Sequence, residues 1–162
     1  MNNSYGTDEY IEKAVATHSK RLLSAAYAVL KSTASAEDAV QETFIKLITK
    51  QPHFNDSEHE KAWLLRVTVN ISLNMLKKAE RNNPVTENEP VYTEDNSFQL
   101  LDLVLTLPVQ YRTVIHLYYY EGYSIKEIAS ILKIPSATVG TRLARARAIL
   151  KKELEEGAYE WL

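Results

Sequence analysis

The chain of 162 residues contains no cysteine, which excludes disulfide bonds and cysteine-rich zinc sites and permits a reducing compartment. No segment approaches the roughly 18 consecutive apolar residues of a membrane-spanning helix, and the first residues lack the basic-then-apolar order of a signal peptide. The sequence also lacks a glycine-rich phosphate loop and a nucleophile paired with a base. We therefore expect an untargeted, cytoplasmic protein that is not an enzyme and uses no cofactor.

The four histidines do not follow a metal-site pattern. Helical two-histidine sites place their ligands four residues apart, whereas His53 and His59 straddle a loop and a helix start. His18 lies on the apolar face of a predicted helix, where a packed and hydrogen-bonded histidine is the ordinary finding. We predict no metal site.

The net charge of −2 conceals a segregation of charge along the chain. Residues 61–81 carry five basic side chains against Glu80 alone, and residues 82–107 carry five acids and no base. From Arg142 to Lys152 there are again five basic residues and no acid. Two basic segments far apart in sequence indicate two separate contacts with DNA.

Hydrophobic periodicity predicts three amphipathic helices in the first half of the chain. They cover residues 7–31, the stretch that begins at Ser35, and residues 57–79, where Ser57 and Glu60 make a capping box. The predicted core residues are Ile11, Val15, His18, Leu22, Ala26, Val29, Val40, Phe44, Leu47, Ile48, Leu64, Val67, Thr68, Ile71 and Met75. Two polar faces remain, and the first is Asp38, Gln41, Glu42 and Lys46, which by itself indicates only a solvated surface.

The second polar face combines an aromatic ring, amides and cations on the third helix. Its members are Trp63, Arg66, Asn70, Leu73, Asn74 and Lys77. Such a mixture suits single-stranded DNA, because bases stack on rings while the backbone meets positive charge. Taken alone, Trp63 could equally belong to the core.

Residues 80–96 contain two prolines, many acids and no helical period, which predicts a linker. A helix over residues 97–107 should follow, and then one that begins at Pro108 and stops at Gly122. Its inward side chains should be Tyr111, Val114, Ile115 and Tyr118, and the cluster Tyr118-Tyr119-Tyr120 should pack against the helices that come after it. The sequence thus predicts an all-α protein: domains at 1–80 and 98–162, with an acidic flexible linker at 81–97.

The stretch from Ser124 to Lys152 predicts two helices joined by a tight turn. Ser124 and Glu127 form a capping box, Pro135 ends the first helix, and Ser136 caps the second. The buried positions are Ile125, Ile128, Ala129 and Leu132 in the first helix and Val139, Leu143, Ala146 and Leu150 in the second. This is the pattern of a helix-turn-helix that reads the major groove of DNA. The alternative is a helical hairpin with a solvated basic face.

The second of these helices would be the one that reads DNA. Its small first turn, from Ala137 to Thr141, can approach base edges, while the cations that follow can reach phosphates. Those cations are Arg142, Arg145, Arg147, Lys151 and Lys152.

Four motifs in this order resemble the bacterial sigma-70 superfamily, and more narrowly its extracytoplasmic-function (ECF) group. They are Asp38-Ala39-Val40-Gln41-Glu42-Thr43-Phe44, Trp63-Leu64-Leu65-Arg66-Val67-Thr68-Val69-Asn70, Leu107-Pro108, and Thr138-Val139-Gly140-Thr141-Arg142-Leu143-Ala144-Arg145-Ala146-Arg147. The resemblance covers residues 10–153. Members of the family often carry a basic residue where this chain has Gly140.

The resemblance implies a sigma factor that directs RNA polymerase core enzyme to promoters through their -10 and -35 elements. Asp38, Gln41 and Glu42 would then bind a coiled coil of the largest polymerase subunit. This role replaces the earlier interpretation of that face as only a solvated surface. The -10 element would be bound by Lys61, Trp63, Arg66, Asn70, Asn74, Lys77 and Lys78. The -35 element would be bound by Ser136, Thr138, Thr141, Arg142, Arg145 and Arg147. An anti-sigma factor is a further expected partner.

The rival interpretation is a stand-alone helix-turn-helix regulator, which would bind its operator tightly without polymerase and usually as a symmetric dimer. An all-helical adaptor that does not touch DNA is another alternative, and it would show no salt-dependent DNA binding. The sequence names neither the promoter nor the signal.

Overall fold

The computed structural model describes residues 8–82 and 98–156, and every regular element in these two ranges is helical. The prediction of an all-α protein is therefore confirmed. The chain divides into two units, Met1–Glu89 and Pro90–Leu162. Residues 83–97, which make up most of the predicted linker, lie outside the described residues, and its first two predicted residues, Arg81 and Asn82, belong to the end of the preceding helix. None of the described helices is both long and apolar enough to cross a membrane.

The first unit is a body of three mutually packed helices: α1 (Asp8–Leu30), α2 (Thr33–Lys50) and α3 (Ser57–Asn82). Its core is built from side chains of all three helices that are almost completely buried: Leu22, Ala26, Val29, Ala39, Leu47, Leu64, Leu65 and Val69. The prediction of burial is wrong for two residues, since Val15 is 39% exposed and Ile48 is 42% exposed.

The caps of two helices in this unit differ from the sequence prediction, and at one of them the start of the helix differs as well. Helix α2 begins two residues before Ser35, since the extended Ser32 accepts a hydrogen bond from the Ser35 backbone N–H at 3.2 Å. At α3, Asp56 Oδ1 accepts from the His59 backbone N–H at 2.7 Å, so the cap is Asp56 and not Ser57. His59 Nδ1 in turn accepts the Asn55 backbone N–H at 3.2 Å, which gives that histidine a structural role.

The second unit contains α4 (Phe98–Thr106), α5 (Val109–Ile115), a π-helical segment (His116–Tyr120), α6 (Ile125–Leu132) and α7 (Ser136–Glu156). Its core includes six side chains that are completely buried: Val114, Leu117, Ile128, Val139, Leu143 and Ala146. Helix α5 packs against α7, and α6 packs against α7. The predicted buried position Ile125 is 37% exposed, and Ile131, which is 5% exposed, takes its place in the core.

Proline and serine positions explain the boundaries in the second unit. Pro108 is the N-cap of α5 rather than its first residue, with an extended ψ of 149°, so the helix starts one residue later than predicted. The predicted capping box of α6 is confirmed, and Lys133 ends that helix in the left-handed conformation. Ser136 is the first residue of helix α7 and not the residue before it. The Pro135 carbonyl accepts the first hydrogen bond of the helix, from the Val139 N–H at 3.2 Å. Ser136 is therefore not the cap.

The π-helical segment was not predicted, and it changes which tyrosines are buried. The Glu121 N–H reaches the His116 carbonyl, five residues back, at 3.1 Å, and this wider turn rotates the following side chains. Tyr119 and Tyr120 are consequently 55% and 53% exposed, so the predicted packing of the cluster holds only in part: Tyr119 still meets Arg147 of α7 through a hydrogen bond of 2.6 Å. Gly122, with φ of +75°, stops the segment as predicted.

Candidate nucleic-acid interface

One side of α3 presents a ring, two amides and two cations in a row. At about 100° per residue, Trp63, Arg66, Asn70, Asn74 and Lys77 fall within a strip about 80° wide. The buried Leu64, Leu65 and Thr68 occupy the opposite side of the helix, so the strip faces away from the core. Lys78 lies at the edge of the strip and is exposed.

The loop before α3 supports the aromatic end of this strip. The Phe54 ring meets the Trp63 ring edge-on, with centroids 5.8 Å apart, and meets the His59 ring in the same way at 5.4 Å. Trp63 is half-buried, so it is neither a core residue nor a free ring. The geometry fixes its indole at the boundary between loop and helix, where one part of the ring remains accessible.

Lys61 does not belong to this strip. It lies roughly 180° around the helix from Asn70 and one turn before Leu64 and Leu65, on the side that faces the core. The structure therefore separates Lys61 from the other side chains that were predicted to meet the same DNA strand.

Helix α2 presents a separate surface, in which an acidic and amide end continues into an apolar end. Asp38, Gln41 and Glu42 are all exposed. One and two turns further along the same side, Ile45 is 56% exposed and Ile48 is 42% exposed. Sequence reasoning missed this apolar part because it assigned Ile48 to the core.

Buried hydroxyl groups hold α2 against α3. Thr43 Oγ1 donates to the Ala39 carbonyl at 2.9 Å and lies 2.8 Å from Thr68 Oγ1. Since the single Thr43 proton is used on Ala39, Thr68 must be the donor between the two threonines. Ser72 Oγ donates to the Thr68 carbonyl at 2.7 Å, and all three side chains are completely buried. This network fixes α2 relative to the strip on α3.

In the second unit, the first turn of α5 and the N-terminal half of α7 line a shared groove of about 560 Å³. Its walls are Gln110, Tyr111, Ala137, Thr138, Thr141, Arg142 and Arg145. The groove brings together four of the six residues predicted to contact the -35 element. Ser136 is exposed at the start of α7, beside the groove. Gln110 was not predicted to line a site, and Tyr111 was predicted to point inward but is only partly buried, since no pattern in the sequence places α5 beside α7.

The groove has the electrostatics of a site for an anion. The seven described residues that line it include two arginines and no carboxylate. Thr141 Oγ1 donates to the Ala137 carbonyl at 2.9 Å, so this side chain offers its methyl group and an acceptor rather than a donor. At Gly140, an added Cβ would meet no atom within 4 Å, so the position is open.

Arg147 lies apart from this groove. Its Nε donates to Tyr119 Oη at 2.6 Å, and its guanidinium lies 5.5 Å and 5.6 Å from the Tyr118 and Tyr119 ring centres. It lines a different, mainly apolar cavity of about 700 Å³ together with Leu150 and Leu154. Arg147 thus contacts two tyrosines, and it does so from a different side of α7 than the side that carries Thr141 and Arg145.

Comparisons with known proteins fall on the same two units. Residues 14–82 match the family profile described as Sigma-70 region 2, and residues 97–150 match the one described as Sigma-70, region 4. The chain is 28% identical to the ECF RNA polymerase sigma factor SigW of Bacillus subtilis, over 93% of this chain and 92% of that protein. It is also 28% identical to the ECF RNA polymerase sigma factor SigE of Mycolicibacterium smegmatis, over 92% of this chain and 63% of that protein.

A solved structure has the same fold. It is the sigma factor RpoE in complex with the anti-sigma factor NepR from Bartonella quintana, which matches with a TM-score of 0.75. The match covers 93% of this chain and 99% of that chain at 22% identity.

Proposed function

The chain belongs to the sigma-70 family of RNA polymerase sigma factors, in its extracytoplasmic-function group, and we propose that it directs core polymerase to promoters and initiates transcription there. The observation that carries this function is the order of the two matches: region 2 falls on the first unit and region 4 on the second. A stand-alone helix-turn-helix regulator accounts for the second unit alone.

The exposed side of α2 is the surface for core polymerase in this proposal. Asp38, Gln41 and Glu42 supply charge and amide groups, and Ile45 and Ile48 add apolar area to the same side. Exposed isoleucines next to a polar cluster are typical of a protein interface, because their burial adds affinity while the polar groups fix orientation.

The strip on α3 binds the non-template strand of the -10 element. Trp63 offers a ring for stacking, Asn70 and Asn74 offer amides to base edges, and Arg66 and Lys77 lie where they can meet the backbone, with Lys78 beside them. Removing a base from the duplex stack costs a few kcal/mol, which contacts of this kind offset. Lys61 is left out because it lies on the other side of the helix.

The groove between α5 and α7 binds the -35 element as duplex DNA. The small side chains of the first turn of α7, from Ser136 to Thr141, come closest to the bases, and Arg142 and Arg145 reach the flanking phosphates. Arg147 is not assigned to the DNA, because Tyr118 and Tyr119 already engage its guanidinium.

Several further parts of the proposal come from the family. Residues 81–97 tether the -10 and -35 domains, an anti-sigma factor holds the protein inactive, and the protein acts in the cytoplasm without catalytic activity of its own. The proposal of an anti-sigma partner is supported by the similar structure of RpoE, which was solved in complex with the anti-sigma factor NepR.

The test is promoter binding and transcription with and without core polymerase. The purified chain should shift a promoter fragment weakly alone and strongly with core enzyme, and the complex should synthesise RNA from that fragment. Ile45→Ala should lower the affinity for core, whereas the control Glu12→Ala, an exposed change on α1, should leave it unchanged. Tight and symmetric DNA binding without core, with no RNA synthesis, would establish the stand-alone regulator instead.

A further inference from the structure

Two polar residues of α5 line the groove together with α7, and the sequence motifs assign neither of them a contact with DNA. Gln110 is exposed and Tyr111 is half-buried, and both line the wall opposite Thr138, Thr141, Arg142 and Arg145. From this arrangement we propose that the Gln110 amide and the Tyr111 hydroxyl donate to a phosphate of the DNA backbone. These contacts would set the position of α7 on the -35 element. The proposal deepens the -35 function and rests on it.

The backbone of the first turn of α5, from which these side chains extend, is held in a fixed place. The Tyr111 and Arg112 backbone N–H groups reach the Pro108 carbonyl at 2.9 Å and 3.1 Å. The buried Arg112 Nη1 donates to the Leu107 carbonyl at 2.9 Å, which fastens the turn between α4 and α5. A donor on a rigid element loses little conformational entropy when it binds, which favours a positioning role.

The packing of α5 on α7 fixes the distance between the two walls. Val114 of α5 and Val139 and Leu143 of α7 are all completely buried in the shared core. Gln110 and Tyr111 therefore cannot move away from the reading helix without breaking that core. A backbone phosphate of a duplex bound at this groove would therefore lie between them and the two arginines.

The chemistry of this wall fits a phosphate better than a base edge. An amide N–H₂ and a phenolic O–H are neutral donors, and the arginines opposite supply the positive charge that an anion needs. Neutral donors to phosphate release no counterion, so their loss should weaken binding without changing its salt dependence. Arginine contacts differ, because each one removed should lower the magnitude of the salt slope by about 1.

The experiment uses the full chain bound to core polymerase. Its probe is a promoter fragment selected by the wild-type complex from a pool that is randomised in the duplex upstream of the melted region. Gln110→Ala and Tyr111→Phe should each weaken binding about two- to tenfold. The loss should be the same for every base substitution in the selected element, and the salt slope should stay unchanged. Tyr120→Phe removes a hydroxyl from an exposed tyrosine outside the groove and should have no effect.

Two further arms separate failure of the inference from failure of the proposed function. Arg145→Ala should weaken binding and flatten the salt slope, which shows that the groove meets DNA. If Arg145→Ala acts in this way while Gln110→Ala and Tyr111→Phe bind like wild type, the inference is wrong and the -35 function stands. A loss that depends on the base pair also overturns it, since the contact would then be to a base. If the wild-type complex selects no sequence at all, the -35 function and the inference fail together.

Discussion

The buried threonine pair between α2 and α3 should make an asymmetric contribution to the stability of the first unit. Thr68 donates to Thr43, and Thr43 donates to Ala39, so the two hydroxyls are not equivalent. Thr43→Val leaves the buried Thr68 hydroxyl without its acceptor, which costs about 1–3 kcal/mol. Thr68→Val leaves the Thr43 bond to Ala39 in place and removes one neutral hydrogen bond, which costs about 0.5–1.5 kcal/mol.

The double variant is the sharper measurement. With both threonines replaced by valine, neither hydroxyl is left unsatisfied, and the shape of the packed side chains is nearly kept. The double variant should therefore cost less than the sum of the two single variants, by about 1–2 kcal/mol of coupling. Because α2 carries the docking side chains, Thr43→Val should also lower the affinity for core polymerase.

Urea unfolding followed by Trp63 fluorescence measures these changes in the first unit alone. Trp161 is the only other tryptophan in the sequence, so the series is made in a Trp161→Phe background. Thr17→Val, an exposed change on α1, is the matched control and should shift stability by less than about 0.5 kcal/mol. Equal costs for the two single variants, together with a double variant equal to their sum, would refute the directional hydrogen bond.

Three further changes test single features of the fold. Thr113 Oγ1 is buried and has no partner among the described residues, so Thr113→Val should leave the thermal midpoint unchanged or raise it by an amount equivalent to about 1 kcal/mol. Gly140→Ala should stabilise α7 by up to about 1 kcal/mol in the same assay, because an added Cβ meets open space there; a loss of stability would contradict this. Burial lowers the pKa of His18 below its ordinary value of 6.5; Arg21 acts in the same direction and Glu60 opposes it. A lowered pKa means that the unfolded chain binds the proton first, so the free energy of unfolding should fall as the pH drops below about 6.5, and His18→Gln should remove that dependence.

Sequence patterns located the helices well and their ends less well, for a local reason. Each missed cap in the first unit had two polar residues that could serve, and the structure uses the earlier one: Ser32 before Ser35, and Asp56 before Ser57. At Ser124 the predicted capping box is present, whereas at the predicted cap Ser136 the preceding Pro135 carbonyl closes the first turn instead. Periodicity identified the buried side of each helix but not its width. Residues at the edge of a stripe, such as Ile48 and Ile125, are partly exposed.

Some candidate sites could be predicted from local sequence patterns, and others depend on tertiary packing. Residues on one helix share a face because of the helical period alone, so the strip on α3 and the polar side of α2 could be read from spacing. The groove in the second unit needs α5 to lie against α7, and that depends on core packing between residues 25 or more positions apart, such as Val114 and Val139. Gln110 and Tyr111 could not be found from spacing for this reason.

The fate of Arg147 shows why a count of charges overstates a DNA-binding surface. Arg142, Arg145 and Arg147 look equivalent in sequence, yet two residues along a helix rotate a side chain by about 200°. That rotation takes Arg147 away from the groove of Arg142 and Arg145, and the π-helical segment brings Tyr119 to meet its guanidinium. The unpredicted π-helical segment His116–Tyr120 thereby leaves one cation fewer for DNA, because Arg147 lines the second, mainly apolar cavity instead. In Tyr119→Phe the Nε hydrogen bond is lost, so Arg147 should gain freedom. Binding of the -35 duplex should stay at the wild-type level, since the released side chain still points away from the groove.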